Sequence, residues 1–91
     1  MKKILFVLPF LSSGGAERVV SIWSSELAKM GADIYLLVFY RVENEYQVND
    51  KVKIHVIDEN KEQYNKLSRM KKIKLLRSKL KSLNPDLIIP F

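Results

Sequence analysis

Ninety-one residues allow one domain, and a hydrophobic share of 47% is enough for a small core. The absence of cysteine excludes disulfides, thiolate metal sites and a cysteine nucleophile, and fits a reducing cytoplasm; the single histidine, His55, makes neither a metal site nor a catalytic triad by itself. The charge of +6 is uneven, five Lys/Arg against six Asp/Glu over residues 1–50 and eleven against four over residues 51–91, so the second half suits an anionic partner.

Residues 3–8 form an apolar run without alternation, the pattern of a strand covered on both faces. Met1-Lys2-Lys3 ahead of it superficially resembles a signal peptide. The run is short, however, Pro9 interrupts it and no Ala-x-Ala site follows, so a buried strand is the reading. No segment reaches the roughly 20 apolar residues of a membrane span.

A helix is predicted over residues 15–30. At 100° per residue, Ala16, Val19, Val20, Trp23, Leu27 and Met30 share an arc of about 100°, while Glu17, Ser21, Ser24 and Ser25 face away. Trp23 is accordingly assigned to the core. Ser13 or Gly14 can serve as N-cap, Glu17 can reach back to the first free amides, and Gly31 suits the position after the helix.

Residues 33–40 form a second doubly apolar strand, followed by a polar, irregular stretch over 41–52. Residues 53–58 alternate, with Ile54, Val56 and Asp58 on one side and Lys53, His55 and Ile57 on the other, as in a shorter strand near a sheet edge. One helix is predicted over 64–83 with Ile73, Leu76, Leu80 and Leu83 on its inner face, ended by Asn84-Pro85. Leu87-Ile88-Ile89 starts a fourth strand. The order β-α-β-β-α-β makes an open, mostly parallel α/β sheet. The last strand has no covering helix, which predicts a sheet continued in a longer protein or an edge covered by a partner, a second copy included.

The strand, the small loop Ser12-Ser13-Gly14-Gly15 and the helix start follow one another directly. That order can set free backbone N–H groups and the positive end of a helix dipole beside an anion. The dinucleotide fingerprint Gly-x-Gly-x-x-Gly is absent, Tyr40-Arg41 stands where an acid would end the second strand, and no P-loop lysine is present. Two readings of Gly14-Gly15 stay open on this ground: a tight turn that packs the helix on the strand, or phosphate contact.

The stretch ILFVLPFLSSGGAERVVSIWSSELAKMGADIYLLVF resembles the opening of family 4 glycosyltransferases of the GT-B fold, and Asn84-Pro85-Asp86-Leu87-Ile88-Ile89 resembles that family's Pro-Asp-plus-strand segment. The resemblance is specific over 4–39 and one of type only over 41–83. It implies a partial N-terminal, acceptor-side, Rossmann-like domain over 1–91, with the C-terminal nucleotide-sugar domain absent. It also implies retaining transfer from a UDP- or GDP-sugar to a glycan or lipid-linked acceptor, in surface polysaccharide or glycolipid synthesis. No cofactor and no metal are expected. Carried over by position, Gly14 and Gly15 face the donor diphosphate, with Ala16 at the helix start and Ser13 lining the loop or capping. Glu17 is explained as a first-turn acid and Arg18 as a solvated arginine. The paired glutamates and the acceptor-side histidine are expected beyond Phe91, His55 is read as structural, and the chain alone is expected to be inactive.

From Lys66 to Lys81 there are eight Lys/Arg and no acid. Lys71, Lys74 and Lys81 lie opposite the apolar face, Lys72 and Lys79 flank it, and Leu75 projects among the charges. The stretch reads as a solvated face or as a contact with an anionic membrane, which would make the domain peripheral at the inner membrane face. Nucleic acid is disfavoured, because no aromatics interleave the charges and Tyr46 and Tyr64 are scattered. A non-catalytic α/β binding module that uses the basic helix is the alternative reading. Coding sequence downstream of Phe91 with a second Rossmann-like domain would decide for the enzyme.

Overall fold

The computed structural model describes residues 2–11, 14–43 and 45–90. In chain order the elements are β1 (Lys3–Leu8), α1 (Gly15–Lys29), β2 (Asp33–Val38), β3 (Lys53–Val56), α2 (Lys61–Lys66), α3 (Arg69–Leu83) and β4 (Leu87–Pro90). They build a four-stranded sheet in the order β3-β2-β1-β4, and every pairing is parallel. This is the Rossmann-like open α/β sheet expected from the sequence, with β1 and β2 inside and β3 and β4 at the edges.

Register sorts the side chains into two layers. Phe6, Leu8, Ile34, Leu36 and Val38 face α1, together with Val20, Ala28 and the loop residues Leu11 and Val52. Leu5 and Leu37 face the other way, against Leu76, Leu80 and Leu83 of α3. The doubly apolar runs of β1 and β2 are thus consumed on both faces. The link from β2 to β3 is a parallel crossover made by a loop, which covers its share of the α1 face with Tyr46 and Val48.

Helix α1 corrects the sequence reading. Its buried residues are Val20, Ser21, Ser24 and Ala28, whereas Val19, Trp23 and Met30 stand out, Trp23 at 57% exposure. The true inner arc is turned by roughly 90° from the expected one. Serine hydroxyls made the difference. Ser21 Oγ donates to the Arg18 carbonyl at 2.7 Å and Ser24 Oγ to the Ser21 carbonyl at 3.3 Å, so both are satisfied inside the helix and small enough to lie against the sheet. Gly31 has φ +95, the left-handed conformation that a helix end assigns to glycine.

The single helix predicted over 64–83 is two. Asn60 caps α2 by accepting from the amides of Glu62 and Gln63 at 2.7 and 3.2 Å. Leu67 is then extended, and Ser68 Oγ caps α3 by accepting from the Lys71 amide at 3.1 Å. Ile73, expected inside, is 50% exposed. Helix α3 ends at Asn84 in the left-handed region, φ 45, and Asp86 clamps the foot of the sheet: its carboxylate accepts from the Lys3 amide at 2.7 Å, and its own amide donates to the Lys3 carbonyl at 2.8 Å.

Candidate functional site

The carboxyl edge of an open parallel sheet is where such folds hold ligands. Here it is built by the β1–α1 connection, the residues after β2 and helix α2. Gly14 is the N-cap of α1, extended at φ −97 and ψ 156, with no side-chain cap bond. Its carbonyl accepts the Arg18 amide at 3.1 Å and opens the helix. Gly15 and Ala16, the first helical residues, are exposed, and a Cβ on Gly15 would meet open space. Around Gly14, by contrast, the Glu17 carboxylate folds back into the space that a Cβ would take. An acid thus lies against the positive end of α1, the role expected of it. Arg18 is exposed, as expected. Ser12 and Ser13 lie outside the described residues.

Beside this loop runs an aromatic series that the sequence reading missed. Phe10 stacks on Tyr40 at 5.7 Å between centroids, Tyr40 meets Tyr64 at 5.7 Å, and Tyr64 stacks on Phe39 at 5.6 Å. The Lys61 ammonium lies 5.9 Å from the Tyr40 centroid and that of Lys72 lies 4.8 Å from Tyr64. Burial, with Tyr40 as neighbour, raises the Tyr64 pKa. Residues 10, 40 and 64 are far apart in sequence, so only the parallel crossovers bring them together. The one available signal was that Phe10 and Tyr40 each follow the end of an apolar strand.

Apart from Lys72, which lies over Tyr64, the basic residues occupy a different place, on α3 across the sheet from α1. Lys71, Lys74 and Lys81 are exposed as read; Lys72 and Lys79 are half-buried flankers. Leu75 is half-buried between Lys71 and Lys79 rather than standing out among the charges. Lys74 and Lys81 join Arg77, Ser78, Asn84 and Pro85 around a groove of about 790 Å³. The glycine loop and the lysines therefore do not form one site. On β3, burial first, then the ammonium groups of Lys79, Lys3 and Lys53, lower the His55 pKa; its ring sits 5.8 Å from Tyr35. No helix among the described residues is long and apolar enough to cross a membrane.

No family model matches the chain. One curated relative does: the GalNAc-alpha-(1->4)-GalNAc-alpha-(1->3)-diNAcBac-PP-undecaprenol alpha-1,4-N-acetyl-D-galactosaminyltransferase of Campylobacter jejuni. It is 33% identical over 94 aligned positions that take in all of this chain and 26% of the relative. The chain thus spans about a quarter of that protein's length. This kinship, joined to the all-parallel Rossmann-like sheet and its strand–glycine loop–helix opening, supports an N-terminal, GT-B-like domain similar to those of the family 4 glycosyltransferases.

Proposed function

We propose that the chain is the acceptor-side half of a sugar-transfer site, in which the start of α1 is the wall that meets a nucleotide sugar's diphosphate. The observation that carries this reading is the open space around Gly15 at the exposed first turn of the helix. A diphosphate there meets free amides and the helix dipole, which favour the charge that builds on the leaving nucleotide. Glu17 is the gate: its flexible side chain must swing aside before an anion takes its place. The donor is a UDP- or GDP-sugar and the transfer retains configuration. The acceptor is a glycan or a lipid-linked glycan of surface polysaccharide or glycolipid assembly, in keeping with the lipid-linked substrate named for the relative.

In this reading the 91 residues bind but do not turn over, because the donor-holding domain belongs to the rest of such an enzyme. The test is a chimera in which this chain replaces the matching quarter of the Campylobacter relative. It transfers sugar, the isolated chain does not, and Gly15→Ala lowers transfer by about 10²-fold while leaving the fold intact. A folded chimera without transfer, or one indifferent to Gly15→Ala, overturns the reading.

The outer side of α3 serves the same activity by holding the domain at an anionic membrane. Lys74, Arg77 and Lys81 line the groove, and the exposed Met70 and Ile73 lie along the same side of the helix. Each lysine near such a surface contributes about 1 kcal/mol. The chain should sediment with anionic vesicles, leave them in high salt, and lose most binding as the triple Lys74→Gln, Arg77→Gln, Lys81→Gln variant. Equal binding to neutral vesicles would contradict this.

A further inference from the structure

We infer that Phe10, Tyr40 and Lys61 form a subsite for one pyranose ring of the acceptor saccharide. The word acceptor rests on the sugar-transfer reading above; the subsite itself rests on the following geometry. The Pro9 carbonyl accepts the amides of Phe39 and Tyr40 at 2.9 and 3.3 Å. The connection that carries Phe10 and Gly14 is thereby bonded directly to the end of β2, and the aromatic ledge is fixed on the carboxyl edge, in the same loop as the glycines.

Burial divides the aromatic series. Tyr64 is buried at 9% exposure and backs the ledge; Phe39, which stacks on Tyr64, is half-buried, as are Phe10 and Tyr40, which stay partly accessible. Neither outer ring belongs to the two core layers of the sheet. A pair of aromatics held in place by the buried Tyr64, and left partly wet beside a ligand-binding edge, is suited to an amphipathic ligand. A pyranose is one: its axial C–H groups form an apolar, weakly positive face that packs on π electrons, and its hydroxyls need polar partners. The exposed Lys61 ammonium beside Tyr40 and the Tyr40 hydroxyl supply those.

A nucleobase stacks on aromatics too, but it asks for a whole free ring face. Phe10 and Tyr40 lie at 24° to one another and use faces on each other. The accessible portions that remain take the few axial C–H groups on one face of a pyranose more readily than the full plane of a base.

Saturation-transfer NMR on the chain with methyl α-glucopyranoside, N-acetylglucosamine and N-acetylgalactosamine tests this, with uridine monophosphate as competitor. At least one pyranoside should receive saturation at its ring hydrogens. An aromatic contact of this kind corresponds to roughly a two- to tenfold change in binding. Tyr40→Ala and Phe10→Ala should lose that much and Lys61→Gln about twofold, while Tyr40→Phe keeps the stacking and loses less than Tyr40→Ala. Trp23→Ala, which removes an exposed aromatic on α1, should change nothing. Lys61→Gln touches no core and keeps the test valid if an aromatic variant misfolds. The inference is overturned by no transfer to any pyranoside, by transfer unchanged in both Tyr40→Ala and Lys61→Gln, or by displacement of the sugar by the nucleotide. If the chimera transfers sugar while Tyr40→Ala binds and turns over normally, the subsite is wrong and the transferase reading stands. If the pyranoside binds at Tyr40 and the chimera is inert, the reverse holds.

Discussion

Two single residues, Gly15 on the β1–α1 connection and His55 on β3, bear on the molecule in different ways. At the carboxyl edge Gly15 supplies room rather than a special backbone angle, so alanine there costs the fold nothing and the proposed site a great deal. On the edge strand β3 the His55 pKa is lowered, by burial first and by three ammonium groups next. The sign of its pH effect follows. Its folded-state pKa lies below that of the unfolded chain, near 6.5, so as pH falls through that value the unfolded chain takes up the proton first and stability is lost. The loss from this group stops once pH drops below the folded pKa. Urea midpoints measured between about pH 7.5 and 5.5 should therefore decline for the wild type and decline less for His55→Gln. A variant with the same slope would remove His55 as a contributor.

At the scale of elements, the strands were legible and the helix faces were not. Apolar runs in β1 and β2 announce double burial directly, and the alternation of Ile54 and Val56 against Lys53 and His55 is the one observed, Ile54 and Val56 facing α1. Helix α1 misled because hydropathy places Trp23 inside, whereas the sheet takes the small side chains. A serine that bonds its own helix carbonyl counts as a core residue, and no hydrophobicity pattern shows that. Trp23→Ala should shift stability by less than about 0.5 kcal/mol. Ser24→Leu, overpacking a fully buried position, should cost about 1–3 kcal/mol. Chemical denaturation of the two variants decides between the faces, and a large loss in Trp23→Ala would restore the hydropathy reading. The break between α2 and α3 was similarly hidden, since Ser68 is an N-cap without the acid three residues on that marks a capping box. The strand, glycine loop and helix start on which the proposed anion site rests were legible, but the aromatic series was not, because it joins residues that only the folded sheet makes neighbours.

Among the described residues, large apolar side chains stand exposed on and beside α1, on α3 and on the edge strand β4. The side of α1 that carries Ser25 is tied by its hydroxyl to the Asn49 amide, toward β3. Val19, Trp23 and Met30 stand exposed on and just after α1, and Leu87 of β4, paired with Ile4, is 49% exposed on the α1 side of the sheet. On the α3 face Ile88, paired with Leu5, is 45% exposed. An edge strand with bare apolar residues on both faces has the surface of an interior strand. We propose that it pairs with a further strand, and in the isolated chain with that of a second copy. Sedimentation should show concentration-dependent dimers that Ile88→Lys dissolves; a strict monomer at high concentration would contradict this.

The claim on which the functional account turns is that the start of α1 faces a diphosphate. Amide shifts of the 15N-labelled chain, titrated with UDP and separately with uridine, test it most directly. UDP should move Gly14, Gly15 and Ala16, the movement should strengthen in Glu17→Gln, where the competing carboxylate is neutral, and uridine should leave all three in place. Shifts confined to Arg77 and Lys81, or equal shifts with uridine, would contradict the account.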